Sequence, residues 1–154
     1  FMDVFEITKT GQTYRILFDH LGRLTLAPID AQEASTKLLK IIGKTILKKG
    51  KMQLNLSDGR NILADKKTGN VGDSVLFDLT ANKISQIIPL EKGTRVYLMA
   101  GKHVGELATI KDIIRTKGLE KAKLTLEAGD KEFLTLMDYA LPVGKTTITL
   151  EVKQ

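Results

Sequence analysis

The sequence predicts a mainly β fold: a small β-barrel or meander unit with one helix, followed by a second strand-rich unit as long as a small barrel. Three observations predict it. Short runs alternate apolar with polar residues, glycine-bearing turns separate those runs, and a single segment departs to a helical period.

Taken in order, residues 4–8 read as a strand entering the turn Lys9-Thr10-Gly11-Gln12. Tyr14, Ile16 and Phe18 then alternate with Arg15 and Leu17, and beyond His20-Leu21-Gly22-Arg23 come Leu24 and Leu26 around Thr25. The first 27 residues therefore read as a three-stranded meander. The helix is expected near residues 30–42. Asp30 is placed as an N-cap with Glu33 as its capping-box partner, Ala34, Leu38 and Ile41 or Ile42 follow at helical spacing, and Gly43 closes the element. Met52, Leu54 and Leu56 form a further strand, and Ser57-Asp58-Gly59-Arg60 turns the chain toward Ile62. In that turn Asp-Gly supplies the positive φ of a tight hairpin. Strands over 75–79 and 84–88 come next. Pro89-Leu90-Glu91-Lys92-Gly93 then marks a boundary between units at 1–89 and 90–154. Gly72-Asp73-Ser74-Val75 and Gly93-Thr94-Arg95-Val96 echo one another and read as two similar barrel-entry strands.

The bulk properties bound the function. With 154 residues, 42% hydrophobic and 27% charged, the chain can fold around real cores and is not of disordered composition. No apolar run approaches the roughly 20 residues of a membrane-spanning helix, and no basic-then-apolar leader opens the chain. A start at Phe1 reads as the start of a piece of something longer. The lack of cysteine removes disulfides, thiol catalysis and thiolate metal sites, in keeping with a reducing compartment.

Net charge is +6, which suits an anionic partner, and its distribution says more than its size. No acidic residue lies between Glu33 and Asp58, while Lys37, Lys40, Lys44, Lys48, Lys49 and Lys51 all do. Such a cluster cannot neutralise itself by local pairing, which favours phosphate as its partner over a merely solvated surface. Catalytic signatures fail on spacing. Gly144-Lys145-Thr146 has Tyr139 and Gly43-Lys44-Thr45 has Leu38 where a phosphate-binding loop needs glycine, and 147–150 continues as a strand instead of opening a helix. His20 and His103 are too few and too far apart in sequence for a zinc set, and no carboxylates pair for acid–base work. The expectation is no enzyme, no cofactor, no metal and no small-molecule substrate.

The segment from Gly93 to Ile110 is the informative one. A strand over 95–99 runs into Gly101-Lys102-His103-Val104-Gly105 and returns through 107–110. The two glycines allow a tight reversal and a close approach of backbone to another surface, and the tip presents Lys102 and His103. This segment resembles the KOW motif of ribosomal proteins and transcription elongation factors, with Ala108 where that family often has glycine. The resemblance implies a KOW-type SH3-like barrel over 90–154. It widens along the chain. Phe1-Met2-Asp3-Val4, Lys9-Thr10-Gly11, Gly22-Arg23, Asn70-Val71-Gly72-Asp73-Ser74-Val75 and Leu136-Met137-Asp138-Tyr139-Ala140-Leu141-Pro142 resemble, in order, the archaeal and eukaryotic small-subunit ribosomal protein four of the e type. In that family a separate RNA-binding domain precedes this region.

What the resemblance implies is a structural constituent of the small ribosomal subunit in the cytoplasm, with ribosomal RNA and other small-subunit proteins as partners and no membrane. Lysine and arginine on a rigid β scaffold would neutralise phosphates, and with no Trp and 5% aromatic residues a stacking platform is not expected. The expected RNA-binding residues are Lys44, Lys48, Lys49 and Lys51 in one patch, and Arg95, Lys102, His103, Lys111, Arg115 and Lys117 in another. Because the KOW motif is shared, the alternative is a transcription or translation factor that binds proteins through its barrel.

Overall fold

The structure, a computed structural model, describes residues 1–64, 69–115 and 121–144, with Lys49 described by its backbone alone. Its described residues form thirteen strands in three antiparallel sheets. The expected meander is the first sheet: β1 (Val4–Ile7), β2 (Gln12–Phe18) and β3 (Leu24–Ile29), joined in that order. Arg15, Leu17 and Ala27 point into the protein, whereas Phe5, Ile7, Leu24 and Leu26 lie exposed on the other side. The more apolar face of this sheet is thus its outer one.

The second sheet contains β4 (Thr36–Ile46), β5 (Met52–Leu56), β6 (Asn61–Ala64), β7 (Ser74–Asp78) and β8 (Lys83–Ile88) in the order β6-β5-β4-β7-β8. The third contains β9 (Arg95–Leu98), β10 (Leu107–Ile114), β11 (Lys123–Ala128), β12 (Lys131–Leu136) and β13 (Ala140–Pro142) in the order β12-β11-β10-β9-β13. The strand expected over 147–150 lies outside the described residues.

The helix expected near 30–42 is absent. Its start is a single 3-10 turn, Glu33–Ser35, and its body is β4, the central strand of the second sheet. No side chain caps the turn, and the Glu33 carboxylate instead accepts from Arg15 Nη1 at 3.2 Å. The misreading has a physical cause. A strand covered on both faces loses its alternation, and residues Lys37 to Ile41 are all buried. Lys37 and Lys40, two members of the lysine window expected to meet phosphate, are inside the protein.

Each five-stranded sheet curls around its own apolar cluster. Leu39, Ile41, Leu54, Leu56, Val75 and Phe77 fill the second sheet. Val96, Leu98, Ala108, Ile110, Leu124 and Leu126 fill the third. A further cluster joins all three sheets, made of Met2, Leu17, Ala27, Leu38, Ile88, Tyr97, Leu141 and Val143. Strands β4 and β9 feed two clusters each, because Leu38 and Leu39, like Tyr97 and its neighbours, point to opposite sides. Tyr97 fixes the joint. Its hydroxyl accepts from the Phe18 N–H at 3.1 Å and donates to the Phe18 carbonyl at 2.9 Å, while Phe1 stacks on both rings at 4.9 and 5.7 Å.

Replacing Tyr97 by Phe would keep the ring and orphan both Phe18 backbone groups. The expected cost is about 1–3 kcal/mol, read as a lowered denaturation midpoint with an unchanged slope.

Candidate nucleic-acid interface

The lysine window divides in two once folded. Lys37 Nζ donates to Asp3 Oδ1 at 2.7 Å and lies 3.5 Å from Asp58 Oδ2. The pairing holds the Asp3 carboxyl below its usual range. Lys40 Nζ donates to the carbonyls of Met137 at 2.7 Å, Asp138 at 3.0 Å and Ala140 at 2.7 Å. Burial pushes its ammonium down to about 8, against the pull of the Asp138 charge. These two lysines hold the protein together and are not available to a ligand.

Lys44, Lys48 and Lys51 are the other half. Lys44 is half-buried toward the end of β4, Lys48 lies in the 3-10 turn Lys48–Gly50, and Lys51 precedes β5. The backbone of Lys49 lies in the same turn. Gly50, with φ of 70°, lets the chain reverse, and the Leu47 N–H donates to the Lys51 carbonyl at 2.8 Å to close the hairpin. None of Lys44, Lys48 and Lys51 has a side-chain partner among the described residues.

The second expected patch is less uniform. Arg95 opens β9 exposed, its carbonyl accepting the Val143 and Gly144 N–H groups while its guanidinium has no partner among the described residues. Lys102 is exposed and unpartnered in the same sense. His103 is engaged: its ring stacks on Phe133 with centroids 3.9 Å apart, and Nδ1 lies 3.2 Å from Glu106 Oε2. The close approach read from the tip glycines occurs within the protein. A Cβ on Gly105 would lie 2.8 Å from the Asp19 carbonyl oxygen, so only glycine lets the tip rest on the β2–β3 turn. Lys111 pairs with Glu132 at 2.6 Å, which raises its pKa. Arg115 is exposed beside a cavity of about 540 Å³ lined also by Asn70, Asp73 and Met137. Lys117 lies outside the described residues.

The sequence reading passed over Lys83, exposed at the start of β8 without a side-chain partner among the described residues. It stands far along the chain from the lysine window, and only folding brings it to the same cavity as Lys51. Among the described residues no group of three or more His, Asp or Glu could hold a metal ion, and no helix is long and apolar enough to cross a membrane.

Comparison with known proteins gives a consistent picture. Residues 10–84 match the family described as ribosomal family S4e. The chain is 44% identical over 146 residues to small ribosomal subunit protein eS4 of Methanothermobacter thermautotrophicus, covering 94% of this chain and 60% of that protein. It is 41% identical to the protein of the same name from Methanosphaera stadtmanae, with 94% and 60% covered. The chain thus spans about 60% of the length of these curated relatives. The crystal structure of the 30S ribosomal protein S4e from Thermoplasma acidophilum superposes with a TM-score of 0.84 at 32% identity, covering 98% of this chain and 75% of that one.

Two predictions follow from the sorting of charge. Lys40→Met would leave three carbonyls without their donor and lower stability by about 3 kcal/mol in chemical denaturation. The folded-state pKa near 8 lies below the ordinary lysine value of 10.5, so between these pH values the unfolded chain holds more protons. The stability advantage of the wild type over Lys40→Met therefore grows as pH rises through that window. At the tip, His103→Ala is expected to lower the melting temperature by removing the Phe133 stack, whereas Lys102→Gln leaves it unchanged.

Proposed function

Because this chain belongs to the S4e family of ribosomal proteins, we propose that it is a structural constituent of the small ribosomal subunit and binds ribosomal RNA through basic patches on its β sheets. The observation that carries the reading is the hairpin between β4 and β5, where Lys44, Lys48 and Lys51 stand without carboxylate partners among the described residues. Lysines so placed neutralise phosphates and release counterions, which gives affinity without base readout. Structured RNA would then be recognised by shape and backbone.

On this reading the protein resides on cytoplasmic ribosomes, its partners are ribosomal RNA and neighbouring small-subunit proteins, and it acts without cofactor or small-molecule substrate. Arg95, Lys102 and Arg115 supply further phosphate contacts, and His103 acts chiefly by stiffening the tip that carries Lys102. The chain divides functionally at residues 89 and 90 into a central unit bearing the basic hairpin and a KOW-type barrel bearing the tip.

The test is binding to small-subunit ribosomal RNA over a range of salt, beside an unrelated duplex. The ribosomal RNA is expected to bind more tightly. Changing Lys44, Lys48 and Lys51 together to Gln should flatten the salt dependence by up to about 0.9 per lysine. Equal, weak binding to both RNAs would overturn the reading. So would sedimentation of the protein with RNA polymerase instead of small subunits, as expected of a transcription factor.

A further inference from the structure

We propose that the cleft between the two open edges of the second sheet, β6 and β8, seats an RNA phosphodiester backbone between Lys51 and Lys83. This rests on the RNA-binding reading above and adds a site to it.

β6 and β8 are the outermost strands in the sheet order, four positions apart, yet both line one cavity of about 600 Å³. The long strand β4 makes this possible. Its first half pairs with β7 and its second half with β5, and a register shift between Ile41 and Gly43 separates the halves. Such an irregularity bends and twists a strand. The sheet coils until the turn before β5 and the turn before β8 line the same cavity. Lys51 comes from the first of these turns and Asn82 from the second, with Lys83 opening β8.

The chemistry of the lining is that of an anion seat. Among the described residues it holds two lysines and one side-chain amide and no carboxylate. Several exposed lysines elsewhere have acidic partners: Lys92 with Asp112 at 2.7 Å, Lys111 with Glu132 at 2.6 Å and Lys121 with Asp138 at 2.7 Å. Lys51 and Lys83 have none among the described residues. The carboxylate nearest Lys83 in the ladder is Asp78, its cross-strand neighbour. That carboxylate is turned to the backbone, where Oδ1 accepts from the Thr80 and Ala81 N–H groups at 2.8 and 2.9 Å.

Edge strands also leave alternate backbone groups without a ladder partner, and free N–H groups are phosphate donors. Ile62, Ala64 and Ile84 give the cleft an apolar floor against which a ribose can rest. A peptide strand adding to the same edges is disfavoured, since lysines on an open edge oppose strand pairing. Two cations on facing lips and an apolar floor suit a phosphate chain passing through.

The decisive measurement uses the whole chain and small-subunit ribosomal RNA. Salt dependence of binding would be recorded for the wild type, Lys51→Gln, Lys83→Gln and the double variant, with Lys92→Gln as control. Each cleft variant should flatten the slope by about 0.7 to 0.9, the double by about twice that, and Lys92→Gln should leave it unchanged. An unaltered slope for Lys83→Gln, in a protein whose Lys44 and Lys48 variants still flatten it, overturns the cleft and leaves the hairpin reading standing. No RNA binding by the wild type overturns both. Backbone amide shifts of the wild type on adding a twelve-nucleotide oligouridylate should concentrate at 62–64 and 82–84. Shifts there with a polyglutamate decapeptide but not with the RNA would overturn the proposal as well.

Discussion

An ammonium group carries three donor protons, and Lys40 places each on a different backbone carbonyl of the segment that leads from β12 into β13. That segment belongs to the third sheet and Lys40 to the centre of the second, about a hundred residues apart in sequence. Burying a charge is costly unless its hydrogen bonds are met, so the contact tolerates few alternative arrangements of the two sheets. The same device recurs. Arg15 reaches from the first sheet to the Glu33 carboxylate and to the carbonyls of Glu33 and Thr36 at the entry to β4, and Lys37 ties β4 to Asp3 and Asp58. Apolar clusters supply the drive to associate, but they are non-directional. The buried cations supply direction.

That use of cations explains how the surface is organised. The described positive residues fall into three populations: those inside, held by carbonyls and carboxylates; those at the surface but paired, such as Lys92, Lys111 and Lys121; and those exposed or half-buried without a side-chain partner, such as Lys44, Lys48, Lys51, Lys83, Arg95 and Lys102. Only the last population has its full charge available to a phosphate. An exposed ion pair is worth little to stability, so a pair such as Lys111 with Glu132 chiefly lowers the local field. The net charge of +6 therefore understates the local positive field at the unpaired sites.

Much of the fold was legible because short half-buried strands keep their period. The meander, the Asp58-Gly59 hairpin and the Gly101–Gly105 reversal all stand where alternation and glycine placed them. β4 was not legible. Its central position hides both faces, and Lys37 and Lys40 then supply polar residues at a spacing that imitates a helix. The same error moved those lysines to the surface in the sequence reading, since an isolated pattern cannot reveal that a carboxylate from residue 3 or a carbonyl from residue 140 will meet them. Local rules also missed Lys83. Nothing near it in sequence is unusual, and its place opposite Lys51 depends on the bend in a strand about forty residues earlier.

The acid-free stretch from Ala34 to Ser57 acts differently at its two ends. Within β4 the missing carboxylates oblige Lys37 and Lys40 to find partners from remote parts of the chain, so they become fasteners. In the hairpin no remote segment meets Lys44 or Lys48 among the described residues, and the charges stay open. One compositional feature thus yields fasteners where the strand is covered and unpaired charge where it is not. The boundary lies near Gly43, where the register of β4 shifts and the strand leaves the core. A carboxylate introduced into the hairpin would neutralise the exposed lysines locally and leave the fasteners untouched, because their partners are already fixed by three-dimensional contacts.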